Sequence, residues 1–581
     1  MNQVHQLDIG HQITINEGKY GVYKNGTIGS YFQARGNILM YSLALPITSL
    51  PVLKLFGLFT DHFRLLVITL WAFLPFLSAL VISSCYPKWG KLGNLRITII
   101  TAVIGFLLLA ANLLVYFPFI WSAPDAPFEV AAVVFTNHIL FALTMVMVYL
   151  IALTLFENRW KALFAGLACG SSSAYLIWGA NAKDHMASVL FFAVILFCFA
   201  RYFSSRKTRD AAAGFFFIGI LTWYRLEVGF SAFVCISIFF IAEFVLRMHS
   251  GELQFGKDKC KIFLPLVTAI GAIPFFLNNY IVSGSPFTPA FLIPGKEVAP
   301  AVGGVIQLQP VTPMGMVSDM IVTIGKYYFT ITPNPLPDIY GLLFFPASGM
   351  MGMFFVCPLA LLSLLLLPIM YLQLRTQKSW FHHKNTQILF LLVASASIIL
   401  AYLHCLPLLN SDPGVGPDIR YLSPLYIPIV LMSLLLLEGT ILFTHPRTLV
   451  LRSCTWGLVF IPVLLLVMIL FTPVWTPVAT SLITPVWTSF YPRLPYFFIL
   501  AMLAEIVVTL TIVGIYHFTQ RKADTISDLC LPVLIMTILT WQLMMDLIIS
   551  PVAKFNGYPF FWIPAFDVLF HSVINVSVIA P

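Results

Sequence analysis

Apolar residues in this chain fall into long unbroken runs, with few of the alternating or heptad patterns of soluble domains. Fourteen runs can be read, at 64–86, 97–121, 131–155, 163–180, 187–203, 211–224, 228–247, 262–283, 350–373, 387–408, 422–444, 456–472, 497–519 and 529–550. All but 211–224 reach the roughly 17 residues needed to cross a hydrocarbon core about 30 Å thick. Lipid cannot satisfy free backbone N–H and C=O groups, so each run predicts a helix. The expected fold class is an all-α polytopic integral membrane protein.

The polar intervals orient the runs. Most of the 32 Lys and Arg lie in seven short intervals: Lys88/Lys91/Arg96, Arg159/Lys161, Arg201 to Arg209, Arg247 to Lys261, Arg375/Lys378/Lys384, Arg447/Arg452 and Arg521/Lys522. These intervals share one side only if the short run 211–224 also crosses. By the positive-inside rule that side is cytoplasmic. The opposite intervals, 122–130, 181–186, 225–227, 284–340, 409–421, 473–496 and the tail from 551, face outward. Two of them are long and rich in Pro and aromatic residues, as interfacial segments are. The organisation expected is an N-terminal segment 1–63, a transmembrane module 64–283, a long outer loop 284–340 and a second transmembrane module 341–581.

The first segment admits two topologies. Residues 1–37 are polar, and the apolar stretch from Asn37 to Phe59 carries Pro46, Pro51 and Lys54. It is either one span behind a cytoplasmic tail, or an interfacial helix pair on the outer face, which would put Asp8 outside. Charge favours the former.

Composition agrees with the membrane reading. Hydrophobic residues make up 59% of the 581 and charged residues 9%, with a mean hydropathy of +0.92, whereas soluble domains carry about 25% charge. A net charge of +9 would suggest a nucleic-acid partner in a soluble chain. Here the basic loops answer to anionic lipids, and no nucleic-acid partner is expected. The nine Cys show no CxxC spacing and read as apolar packing residues. His5, His11, His382 and His383 have no metal-ligand spacing, and Walker A, GxSxG and HExxH motifs are absent from the sequence.

Charged residues at the outer ends of spans need a reason, because burying them costs energy. Asp184 lies between Lys183 and His185 in a very short outer hairpin. It can act as a base or ligand, or simply cap the following helix. Arg225 and Glu227 occupy the break between two runs. The guanidinium can grip a phosphate through two parallel hydrogen bonds, or snorkel to headgroups with Glu227 as partner. Asp418, Arg420 and Tyr421 end a Gly/Pro-rich outer interval immediately before a span. The single polar residues His138, Glu243, Glu438, Glu505 and Asp546 read as satisfied between helices.

Taken in order, these landmarks resemble the GT-C-fold glycosyltransferases that use polyprenyl-phosphate sugars, particularly the dolichyl-phosphate-mannose mannosyltransferase-like (family 39 type) proteins. The resemblance covers about residues 1–440. It rests on Asp8 followed by Tyr31 and Leu45-Pro46; on Ser171 through Trp178 to Asp184; on Gly214 to Glu227; on Asn278-Asn279-Tyr280 with Ser283 to Pro286; on Gly341 to Pro346; and on Gly416 to Pro424. Family members have one span before the acidic loop that this sequence does not show, so a truncated start is an expectation. The resemblance implies a bundle of about 13–15 transmembrane helices with outer-face interfacial helices, in the plasma membrane of an archaeon or bacterium.

It also implies a reaction, sugar transfer from a polyprenyl-phosphate donor to a lipid, glycan or protein acceptor on the extracytoplasmic face. Asp8 becomes the catalytic base and Asp184 the second acid or a possible metal ligand, Lys183, Arg225 and Arg420 the phosphate-binding cations, and His185, Glu227, Asp418 and Tyr421 supporting groups. A cofactor is not specified; a divalent cation stays open. The alternative expectation is a multi-span transporter or lipid flippase, which would place ionisable residues near the midplane, often in paired repeats.

Overall fold

The computed structural model describes residues 2–10, 41–85, 90–114, 116, 128–173, 175–251, 259–287, 331–344, 383–405, 420–438 and 445–454, with short pieces in 23–39 and a few single positions elsewhere. The predicted spans 350–373, 456–472, 497–519 and 529–550, the loop containing Asp418 and most of 284–340 lie outside the described residues.

Helices dominate what is described. They are α1 (Asn2–Asp8), α2 (Ala44–Phe59), α3 (Phe63–Cys85), α4 (Gly90–Leu114), α5 (Phe128–Phe156), α6 (Arg159–Ser171), α7 (Tyr175–Gly179), α8 (His185–Ser205), α9 (Thr208–Tyr224), α10 (Leu226–His249), α11 (Val267–Gly271), α12 (Ile273–Ser283), α13 (Pro335–Phe344), α14 (His383–Cys405) and α15 (Tyr426–Glu438). Short 3-10 segments precede α3, α11 and α15. Two small antiparallel ladders, Tyr23–Lys24 with Thr27–Ile28 and Ala34–Arg35 with Ile38–Leu39, also occur in the N-terminal segment. Asn25-Gly26, between the first two strands in sequence, is a pair that favours tight hairpin turns.

Among the described residues six stretches are long and apolar enough to cross a membrane: Ala44–Leu77, Glu129–Phe156, His185–Ser205, Leu226–His249, Cys260–Ser283 and Asn385–His404. This is the signature of a multi-pass membrane protein. Helix α8 is central: it packs between α5 and α9, and 78% of its apolar window is buried. An aromatic layer ties it to its neighbours, Phe199 meeting Phe215 and Phe390, and Phe203 meeting Phe239. At the periphery α3 and α4 pair with each other and expose Phe73, Leu77, Ile100 and Phe106, as lipid-facing helices do.

Two predicted spans are divided. The run 163–180 becomes α6 and α7, because the hydroxyls of Ser171 and Ser173 bond back to Ala168 O and Gly170 O at a Gly-Ser-Ser-Ser sequence and compete with helix continuation. The run 262–283 is a 3-10 segment followed by α11 and α12, with Pro265 and Pro274 at the interruptions. Its close seat against α9 depends on two glycines. A Cβ on Gly219 would strike the Thr268 carbonyl, and one on Gly271 the Phe216 carbonyl. Helix α13 crosses position 340, where the sequence placed the end of the long outer loop.

The described basic intervals meet at one end of the bundle. Glu243, with a fully buried side chain, pairs with Arg206 (2.5 Å) and Arg247 (3.6 Å). Lys161 pairs with Glu438 (2.6 Å), and Arg447 lies over Trp160. Glu438 is thus satisfied between helices, as expected, whereas Glu243 is paired through Oε1 alone and its buried Oε2 has no hydrogen-bond partner among the described residues. Helix α9 has 17 residues, about 25 Å at the helical rise, and runs from this basic end to Arg225.

The N-terminal segment belongs to the other end. The start of α2 is fastened there: Ser42 Oγ donates to Trp223 O (2.7 Å), Leu43 N to Asn278 Oδ1 (2.8 Å), and the Thr48 and Tyr224 hydroxyls share a hydrogen bond (2.5 Å). Just past its C-terminus His62 Nδ1 and the Tyr116 hydroxyl are hydrogen-bonded (2.7 Å), and Tyr116 follows α4 on the side away from Lys91. Thr60, at φ 48°, separates α2 from α3. Helix α1 docks on α2 through Asp8 to Lys54 (2.6 Å) and on the first turn of α5 through His5 to Glu129 (2.8 Å).

Candidate functional site

Helix α9 ends and α10 begins at Arg225, whose extended backbone (φ −144°, ψ 99°) serves both helices. Its N–H donates to Leu221 O (2.8 Å), and its carbonyl accepts from Gly229 N (2.9 Å). One residue thus makes the turn. Gly229 allows it, since a Cβ there would collide with Thr222. The break aims the Arg225 side chain at the hairpin between α7 and α8.

There Arg225 Nη2 lies 2.8 Å from Asp184 Oδ1, and Nη1 lies 3.2 Å from Glu227 Oε1. Nη2 is also 2.9 Å from His185 Nδ1 and 3.2 Å from Nε2, so it donates to whichever ring nitrogen carries no proton. The His185 ring packs on Trp178 with centroids 4.4 Å apart. Exposure is graded across the cluster. The side chains of Arg225 and Glu227 are 16% and 11% exposed and that of Asp184 32%, so Asp184 faces the mouth. Two carboxylates on one guanidinium leave the group with an excess negative charge, which Lys183 in the same hairpin can offset.

Asp184 occupies the N-cap position of α8 without using its side chain as a cap. The capping role open to it from sequence is not the one it takes; its carboxylate is spent on Arg225. The other open reading, Arg225 paired with Glu227, is present, with Asp184 as an additional partner. Nη1 and Nη2 of Arg225 are thus each engaged by a carboxylate.

Of the remaining sequence candidates, Asp8 sits at the same end in its separate pair with Lys54. Arg420 and Tyr421 begin the 3-10 segment Arg420–Leu425, which packs against α8 and is held by the Tyr175 hydroxyl donating to Ser423 O (3.0 Å). The Arg420 and Tyr421 side chains, and Asp418 entirely, lie outside the described residues. Among the described residues no three His, Cys, Asp or Glu side chains converge as a metal-binding set.

Sequence reasoning missed the role of two amides. Asn137, wholly buried in α5, donates to Asn181 O (2.5 Å) and Lys183 O (2.7 Å). Asn278 of α12 accepts from Leu43 N and from Trp223 Nε1 (3.4 Å). Asn137 ties down the backbone of the hairpin that carries Asp184, and Asn278 joins the start of α2 to the side chain of Trp223, close in sequence to Arg225. The available signal was an Asn inside an apolar run, a polar group that must find a partner there.

Compared with protein-family models, with curated proteins and with solved structures, the chain gives no significant match.

Proposed function

We propose that this chain is a membrane glycosyltransferase that moves a sugar from a polyprenyl-phosphate donor to an acceptor at the end of the bundle opposite the basic loops. One observation supports the reading: a guanidinium at the break between α9 and α10, held by two carboxylates and a histidine, on the side where basic residues are otherwise few. Expensive charge placed at the mouth of a bundle suits a phosphate-bearing lipid whose tail stays in the bilayer and whose sugar reaches water. The motif resemblance points to the same chemistry.

In this reading the donor phosphate displaces Asp184 from Arg225, with Lys183 and Arg420 adding positive charge. The released Asp184 then takes the proton of an acceptor hydroxyl whose oxygen attacks the anomeric carbon. The bond from that carbon to the phosphate oxygen breaks, and the phosphate leaves with the electron pair. Asp8, in its pair with Lys54, is the other carboxylate that could accept this proton. His185 and Glu227 keep Arg225 oriented while Asp184 is away.

The exchange makes a specific prediction for binding of polyprenyl monophosphate to purified protein in nanodiscs. Arg225→Ala weakens binding by about thirtyfold or more, the loss of a charge-assisted pair worth roughly 2–3 kcal/mol. Asp184→Asn binds at least as tightly as wild type, because the competing carboxylate is gone, yet turns donor over about 100-fold more slowly or worse. Unchanged binding in Arg225→Ala, or equal weakening in both variants, would overturn the exchange.

A further inference from the structure

We propose that Asn137 is a positioning residue that sets the distance between Asp184 and Arg225; this rests on the reading of that pair as the functional site. The hairpin between α7 and α8 is non-helical backbone amid buried residues, where carbonyl groups need donors. Asn137 supplies two from one atom, Nδ2, to the carbonyls of Asn181 and Lys183. Two carbonyl partners on that atom also fix which end of the amide is nitrogen.

Among side chains of this size only Asn can make the bridge: Asp offers no donor when ionised, Ser only one, Leu none. The second bridged residue, Lys183, immediately precedes Asp184. The register of the Asp184 carboxylate against Arg225 is therefore set from α5, a helix that carries neither charge. The neighbouring His138 plays no part in this, its Nδ1 facing Val134 O within its own helix (2.9 Å).

The test places a thiol at the mouth with Asp184→Cys and follows its alkylation against pH by mass spectrometry of the peptide containing position 184, in full-length protein in nanodiscs. Beside Arg225 and Lys183 the thiolate is favoured. Its alkylation at pH 7 should run about tenfold faster than that of the exposed control Ile9→Cys, one pH unit of displacement. Adding Asn137→Leu should remove most of that tenfold and move the profile back toward an ordinary thiol. Adding Asn137→Ser, with one donor, should leave it between. If the leucine variant is not recovered from membranes, the serine variant decides, and a profile in it identical to that of Asp184→Cys alone overturns the proposal. A profile lowered beside Arg225 but unmoved by either change at position 137 refutes the positioning role alone. An ordinary profile with Asn137 intact would instead refute the reading of the charged pair.

Discussion

Removing Arg225 should cost more than the loss of one ion pair, because it leaves Asp184 and Glu227 with no cation between them. At 2.8 Å two unit charges attract by about 6 kcal/mol at an effective dielectric of 20. Asp184 keeps 32% of its side chain exposed, and both groups lose hydration, which reduces the net coupling to about 2 kcal/mol, at the low end for close charge pairs. Arg225→Met should then destabilise by about 3 kcal/mol, since stranding a partly buried charge approaches the penalty of a broken buried pair. Asp184→Asn alone should cost about 2 kcal/mol. The double variant should cost about 3 kcal/mol, short of the sum by the coupling energy. Equilibrium unfolding in bicelles by SDS titration reads all four corners of the cycle, and Glu227 is present in each, so the cycle isolates Asp184 with Arg225. Costs that add to within about 0.5 kcal/mol would show that the two side chains do not act on each other and would refute the pair as the organising contact of the site.

Two other expectations concern the frame that carries the site. Gly219→Val should destabilise the fold by about 3 kcal/mol or more, beyond ordinary overpacking, because the new side chain meets backbone of the 267–272 stretch; Gly57→Ala, with open space around it, should be neutral or slightly stabilising, and equal melting behaviour of the two variants would contradict the packing described. Topology is tested in intact cells with a membrane-impermeant maleimide: Ile9→Cys, at a position 43% exposed, should label from the same side as Ala182→Cys and from the opposite side to Lys207→Cys. Labelling of position 9 together with position 207 would put α1 at the basic end and remove Asp8 from the site.

The sequence made the ends of the bundle legible because charge in lipid is costly enough to be sorted by side. Arg206, Arg247, Lys161 and Arg447 do meet at one end, and Asp184, His185, Arg225 and Glu227 converge at the other from two separate intervals. It hid the interruptions inside apolar runs. Ser171 to Ser173 and the prolines of 262–283 cost too little apolarity to show as boundaries, yet each changes backbone hydrogen bonding. The path of α2 was ambiguous for a related reason: its composition suits a span and an interfacial helix equally. Asn137 escaped notice, and Asn278 counted only as a motif landmark, because an uncharged amide in a span ordinarily means no more than a hydrogen bond between helices. Their partners, two hairpin carbonyls for Asn137 and Leu43 N with the Trp223 indole for Asn278, are revealed by no spacing rule.

The central claim is sugar transfer at the Asp184–Arg225 cluster, and turnover of a labelled polyprenyl-phosphate sugar by purified protein in proteoliposomes tests it most directly. Wild type should release polyprenyl phosphate and pass the label to an acceptor, and Asp184→Asn should slow this by about 100-fold or more, the usual contribution of a general base. Wild-type turnover in both Asp184→Asn and Arg225→Ala, or no turnover of any such donor by the wild-type protein, would contradict the account.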